Sequence, residues 1–294
     1  MAHRRAVLRA GAAAGAALLG LPARAAPLVL HDALGRRVEI AAPPQRIVTI
    51  FSSNTELVAA LGLVDRIVGV EDYTRFPPEV LHLPKVGGRL GFSADAVVAQ
   101  RPDLVIVTPA RQAAHQLVAP MERIGVPVLV LLSRTLDEVI GNLRLVAQAA
   151  GVPGRGEALA GQLQARLARV QARVAARPAP SLLMLTGRLG NGMLLTARAD
   201  SYTGEAMLRA GGRLALAGPL AQVSPEAALA ADPDVLLFAG SGPDLQDLVR
   251  QPGWRDMRAV RGGRAATVAR SEFLIPGPRT FDGIEKLAQW LHPA

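Results

Sequence analysis

One stretch of this chain occurs twice, and that duplication constrains the fold more than any other feature. Residues Ser93 to Val107 read SADAVVAQRPDLVIV, and Ser224 to Phe238 read SPEAALAADPDVLLF. Aligned without a gap, they share the serine, two alanines and a Pro-Asp pair (Pro102-Asp103 and Pro233-Asp234), with an acid at the third place of each (Asp95, Glu226). Each copy predicts a short helix opened by a serine N-cap, with acid in the first turn where the helix dipole favours it. The helix stops ahead of the proline, and the apolar run that follows predicts a strand buried on both faces. A separation of about 130 residues is too long for a solenoid repeat and predicts two similar α/β lobes.

The rest of the chain fits two such lobes. Residues 1–25 have the form of an export signal: a basic start at His3-Arg4-Arg5, a Gly/Ala/Leu run from Ala10 to Leu21, and an A-x-A site at Ala23-Arg24-Ala25. Arg4-Arg5-Ala6-Val7-Leu8-Arg9 resembles the twin-arginine pattern. The mature protein is expected to be soluble and periplasmic. With no cysteine in the chain, no lipid on cysteine is expected, nor any disulfide or thiolate chemistry. Residues 26–153 read as an N-terminal lobe, opened by a hairpin from Leu28 that turns at Gly35. Residues 154–178 read as one connecting helix, with Leu159, Leu163, Leu167, Val170 and Val174 as its apolar stripe. Residues 179–294 read as the C-terminal lobe, with a glycine-rich loop at Gly187 to Gly192 and a polar loop from Arg270 to Arg279. The fold class is α/β, with central, mostly parallel sheets.

Composition narrows the function. The formal charge is +9, but Arg4, Arg5, Arg9 and Arg24 lie in the export segment, and taking these four away leaves +5. The remaining arginines are scattered, and no basic run is interleaved with aromatics, so a nucleic-acid partner is not expected. The five histidines have neither the spacing nor the carboxylate neighbours of a zinc site, Gly187 to Gly192 is neither a dinucleotide fingerprint nor a P-loop, and no nucleophile elbow occurs. Nothing points to an enzyme or to a cofactor. In α/β sheets, ligands sit beyond the carboxyl ends of the strands. The loops expected there carry Ser52, Tyr73, Arg75, Thr108, Arg111, Arg188, Phe273 and Arg279, a set suited to a polar or anionic ligand.

A family resemblance sharpens this. Asp32-x-x-Gly35-Arg36-x-Val38, Pro43-Pro44-x-Arg46-Ile47-Val48, Asn54-Thr55-Glu56-Leu57, Ala60-Leu61-Gly62, Ile67-Val68-Gly69-Val70 and the first Pro-Asp copy resemble the periplasmic binding proteins of iron-complex and cobalamin ABC importers. The resemblance implies a ligand cleft between two lobes joined by a single long helix, a monomer, and a permease partner met through one acid per lobe. By motif match those acids are Asp95 and Glu226. In this family, haem-binding members that ligate iron through tyrosine carry it seven residues before the motif acid, where Gly88 stands here. Six residues before the acid, cobalamin members carry an aromatic and hydroxamate-siderophore members an arginine; here it is Arg89. Tyr73 matches a tyrosine that lines the cobalamin cleft in relatives. The resemblance therefore implies a metal chelate as ligand, a ferric siderophore in the first place, with a corrinoid or haem as alternatives. A chelatase-like metal-inserting enzyme is the reading from another class; the export segment speaks against it.

Overall fold

A computed structural model of the chain describes residues 26–88, 91–110, 112–216, 218 and 221–293. The export segment, Arg89 and Arg111 lie outside these described residues. In the first lobe, a hairpin of β1 (Leu28–His31) and β2 (Arg37–Ile40) precedes β3 (Ile47–Thr49), α1 (Ser52–Ala60) and β4 (Ile67–Val70). A narrow ribbon of β5 (Gly87–Gly88) and β6 (Gly91–Phe92) leads into the first motif copy, α2 (Ala94–Val98) and β7 (Leu104–Val107). Then come α3 (Ala113–Arg123), β8 (Val128–Val130) and α4 (Leu136–Ala149). The main sheet is parallel, ordered β4-β3-β7-β8.

Helix α5 (Pro153–Val174) leads to the second lobe. There β9 (Ser181–Arg188), β10 (Leu194–Thr196), α6 (Tyr202–Arg209), β11 (Arg213–Leu214) and β12 (Gln222–Val223) precede the second motif copy, α7 (Pro225–Ala230) and β13 (Val235–Phe238). The chain closes with α8 (Gly242–Val249), α9 (Arg258–Arg261), β14 (Ala265–Thr267), α10 (Arg270–Phe273) and α11 (Pro278–Leu291). Strands β11, β9, β13 and β14 lie side by side in parallel, the strand order of the first lobe; β10 and β12 extend the sheet antiparallel beyond the far half of β9.

The duplication extends to atomic detail. Ser93 and Ser224 each accept the amide N–H three residues on, at 3.2 Å in both copies. The residue before each proline, Arg101 or Asp232, has a left-handed φ of 47° or 33°. The Pro-Asp carboxylates then bracket the start of the neighbouring strand. Asp103 accepts the Gln45 and Arg46 amides at 2.8 Å, and Asp234 accepts the Ser181 amide and hydroxyl at 2.8 Å. Each motif thus joins a capped helix, a turn and the register of the sheet's first strand.

Both sheets turn one face to a common apolar cluster and the other to a private one. Leu104 and Ile106 of β7, and Val235 and Leu237 of β13, enter the common cluster with Leu163, Leu167 and Val170 of α5. Val105 and Val107 face a cluster of the first lobe alone, and Leu236 and Phe238 one of the second. The buried stripe of α5 is Gly156, Ala160, Leu163, Leu167 and Val170: Leu163, Leu167 and Val170 fall as expected, Ala160 takes the place of Leu159, and the stripe starts a turn earlier at Gly156. The reason is close packing: a Cβ on Gly156 would stand 2.4 Å from that of Ala147 on α4. Leu159 and Val174 only border the cluster. At the edge of the first sheet, the Asp32-x-x-Gly35-Arg36 turn covers β8. Ala33 donates to the Val130 carbonyl at 2.9 Å, Arg36 to that of Val128 at 2.8 Å, and buried Asp32 pairs with Arg36. An open sheet edge invites pairing with other chains, and this turn closes it.

Candidate functional site

The carboxyl ends of β3, β4 and β7 form a hydrogen-bonded floor. The Asn54 amide donates to the Ile50 carbonyl at 2.6 Å and to the Thr108 hydroxyl at 3.3 Å, while Thr49 and Thr55 share a buried hydroxyl contact at 2.7 Å. Ser52 donates its backbone N–H, at 3.1 Å, and its hydroxyl, at 3.4 Å, to the carboxylate of buried Glu71. Ser52 and Thr108 are therefore held in fixed geometry on this floor, as expected of residues at strand ends.

Beside the floor, the loop after β4 carries Tyr73, which is 44 % exposed, and Arg75, whose guanidinium folds back onto the Asp72 and Thr74 carbonyls. Next to it lies an open depression of about 440 Å³, lined among others by Asp72, Lys85, Gly87, Gly91, Phe92 and Gln116. The Gln116 side chain holds its rim by accepting the Phe92 amide at 3.0 Å. Partial desolvation and the neighbouring Arg75 pull the Lys85 ammonium below its ordinary range, with Asp72 opposing. Lys85, Asp72 and Gln116 were not among the residues expected from sequence, because Lys85 sits in an irregular segment and Gln116 on a helix.

On the second lobe, Arg188 ends β9 and is exposed. Arg270, also missed, donates to the Thr186 and Ala239 carbonyls at 3.1 and 2.9 Å, over the carboxyl ends of β9 and β13. Two expected contacts are placed differently. Phe273 is 2 % exposed and belongs to the core, since Arg270 to Phe273 is a helical turn rather than a polar loop. Arg279, at the start of α11, pairs through both sides of its guanidinium with the buried carboxylate of Glu56 on α1, with Nε to Oε2 at 2.9 Å. Its guanidinium carbon also lies 4.2 Å from the centre of the Phe76 ring. Burial pushes the Glu56 carboxyl up, against the opposing pull of Arg279.

Asp95 and Glu226 are exposed on the first turns of α2 and α7, and among the described residues neither joins an ion pair. The Ser224 hydroxyl holds the Glu226 carboxyl below its usual range. Among the described residues, no three histidine, aspartate or glutamate side chains converge as a metal site, and no helix is long and apolar enough to cross a membrane. The carboxyl ends of the strands thus carry hydroxyl and cationic donors on the first lobe and cationic donors on the second.

Residues 47–269 match the family model described as periplasmic binding protein. A periplasmic haem-binding protein from Pseudomonas aeruginosa is 32 % identical in sequence, with a TM-score of 0.75 over 85 % of this chain and 94 % of that one. The periplasmic haem-binding protein of Roseiflexus sp. RS-1, in its apo form, is 31 % identical with a TM-score of 0.74, covering 83 % of this chain and 96 % of that one. An uncharacterised ABC transporter substrate-binding lipoprotein of Bacillus subtilis (strain 168) is 25 % identical over 273 residues, 91 % of this chain and 86 % of that protein.

Proposed function

The chain belongs to the periplasmic binding protein family, and from that premise we propose that it captures a ferric siderophore and delivers it to an ABC importer. It is a binding protein of transport, not an enzyme. Position 88 carries the choice of ligand. A Cβ on Gly88 would stand 2.3 Å from the Asp72 carboxylate, so Asp72 fills the space in which a tyrosine side chain would start. Haem iron keeps axial positions open for a protein ligand. A siderophore that saturates its ferric ion needs none; it needs donors for its outer oxygens. Lys85, Arg75 and Arg188, with the hydroxyls of Ser52 and Thr108, offer donors of that kind, and Arg89 and Arg111 are proposed beside them from the sequence; guanidinium forks suit carboxylate, catecholate and hydroxamate oxygens. Phe273 and Arg279 are not direct contacts in this reading. Asp95 and Glu226 would meet the permease, one on each lobe. The B. subtilis relative is a lipoprotein; the sequence here contains no cysteine.

A second reading is haem, favoured by the exposed ring of Tyr73 and by the haem-binding relatives above. Native mass spectrometry and equilibrium dialysis against a ferric catecholate, a ferric hydroxamate, haemin and cyanocobalamin separate the two. Retention of a ferric siderophore, weakened by Arg89→Ala, is expected. Preference for haemin, with a phenolate-to-iron absorption band lost in Tyr73→Phe, would replace the siderophore.

A further inference from the structure

We propose that Glu56, Arg279 and Phe76 form a clasp between the lobes, and that Arg279 is a positioning residue for the cleft rather than a contact to its ligand. Arg279 is the second residue of α11, which packs on the second lobe and on α5. Its partner Glu56 lies on α1 of the first lobe, 223 residues away in sequence and 2 % exposed. A carboxylate buried to that degree is held in place by its cation, because losing the cation strands an uncompensated charge. The guanidinium plane also rests on Phe76, and Phe76 follows Tyr73 and Arg75 in the same loop. One side chain thus ties together a helix of each lobe and the loop that forms one wall of the cleft.

The connection to the cleft floor is short. Ser52, which holds Glu71, is four residues before Glu56 on α1, a rise of about 6 Å. A shift of α1 at Glu56 therefore moves the Ser52 donor and, through Phe76, the Tyr73 loop. A second polar link crosses between the lobes elsewhere: the Glu205 carboxylate of α6 accepts the Leu136 amide at the start of α4, at 2.8 Å. The shared apolar cluster joins the lobes through burial of apolar surface, a driving force that is itself non-directional. The bidentate pair supplies the geometry. The clasp borders a groove of about 320 Å³ lined by Ala59, Ala60, Val64, Pro77 and Pro278.

The role of the cleft rests on the function proposed above, but the test of the clasp does not need the ligand. Because the chain lacks cysteine, spin labels at Val98→Cys and Asp247→Cys, both exposed positions on opposite lobes, report the lobe separation by pulsed electron resonance on ligand-free protein. A narrow distance distribution is expected, broadened in Arg279→Met, partly restored in Arg279→Lys, and accompanied in Phe76→Leu by faster hydrogen exchange over residues 71–77. Affinity for the best-retained complex of the panel should fall about tenfold in Arg279→Met. An unchanged distribution in a folded Arg279→Met protein would overturn the clasp, whatever happens to affinity. An unchanged distribution with lost affinity would return Arg279 to the ligand site. Should Arg279→Met fail to fold, Arg279→Lys and Phe76→Leu decide, and wild-type behaviour in both would overturn the proposal.

Discussion

Asp234 of the second Pro-Asp pair is expected to be worth more to the fold than its position near the surface suggests. Asp234→Ala removes the acceptor of the Ser181 amide and hydroxyl, both at 2.8 Å, and of the Arg258 guanidinium at 2.8 Å. Ser181 is 4 % exposed, so its amide would be left without a partner and largely out of reach of water. A hydrogen bond to a charged group contributes ~1.5–3 kcal/mol, and a stranded buried amide costs ~1–3 kcal/mol. The exposed Arg258 pair adds little. Weighing these, the variant should lose about 2–3 kcal/mol, or roughly 3–5 °C in melting temperature for a protein of this size. Asp234→Asn keeps an acceptor and should lose less. The pH dependence gives a second handle. The Ser181 amide and hydroxyl, with Arg258, hold the Asp234 carboxyl below its ordinary range. A depressed carboxyl stabilises the fold above its unfolded pKa, and that stabilisation is lost as pH falls through the folded value. The gap between wild type and Asp234→Ala should therefore narrow in acid. Thermal unfolding followed by circular dichroism from neutral to acid pH, with hydrogen exchange at the Ser181 amide, measures both. A loss below about 0.5 kcal/mol, or a gap that does not change with pH, would refute the assignment of this carboxylate as the bracket of β9.

Three further outcomes are expected. Asp95→Ala and Glu226→Ala, alone and together, should leave chelate affinity nearly unchanged while uptake in cells falls, and normal uptake by the double variant would remove the docking role. Gly156→Ala should destabilise by about 1–3 kcal/mol in denaturant titration, because its Cβ would meet that of Ala147 at 2.4 Å and force α4 and α5 apart. Burial pushes the Tyr202 phenol up to about 12, with a hydrogen bond to Thr203 opposing, so alkaline titration of phenolate absorbance should show a late step that Tyr202→Phe abolishes.

The sequence made the strands and their order legible wherever the signal was local. Pro102 and Pro233 ended helices, and the unbroken apolar runs after them gave β7 and β13, buried on every residue. The residues gathered at strand ends were legible for the same reason, since Ser52 and Thr108 follow buried strands directly. The burial of Phe273 and the pairing of Arg279 were not legible, because their partners are remote. Phe273 packs near Gly283 of α11, and Arg279 meets a glutamate 223 residues earlier, which no local pattern displays. The stripe of α5 shifted for a related reason: hydrophobicity favoured Leu159, but the close approach of α4 selects the small residues Gly156 and Ala160.

The duplicated acid remains the part of the motif that folding does not account for. The serine caps of α2 and α7 already satisfy an amide at each helix start, and the Pro-Asp carboxylates bracket the neighbouring strands. Asp95 and Glu226 add only the modest stabilisation of an exposed charge at a helix N-terminus, about 0.3–1 kcal/mol at low salt. Among the described residues they have no ion-pair partner, on a chain that carries 33 lysines and arginines and could have supplied one. One such acid on each lobe, at equivalent places in both copies, leaves two like charges open to solvent. A partner bearing arginines at a matching spacing would engage both acids only while the lobes keep their separation, which is the quantity the Glu56–Arg279 pair is positioned to hold. On this reasoning Arg279→Met should weaken permease engagement as well as ligand capture. Asp95→Ala and Glu226→Ala should weaken engagement alone.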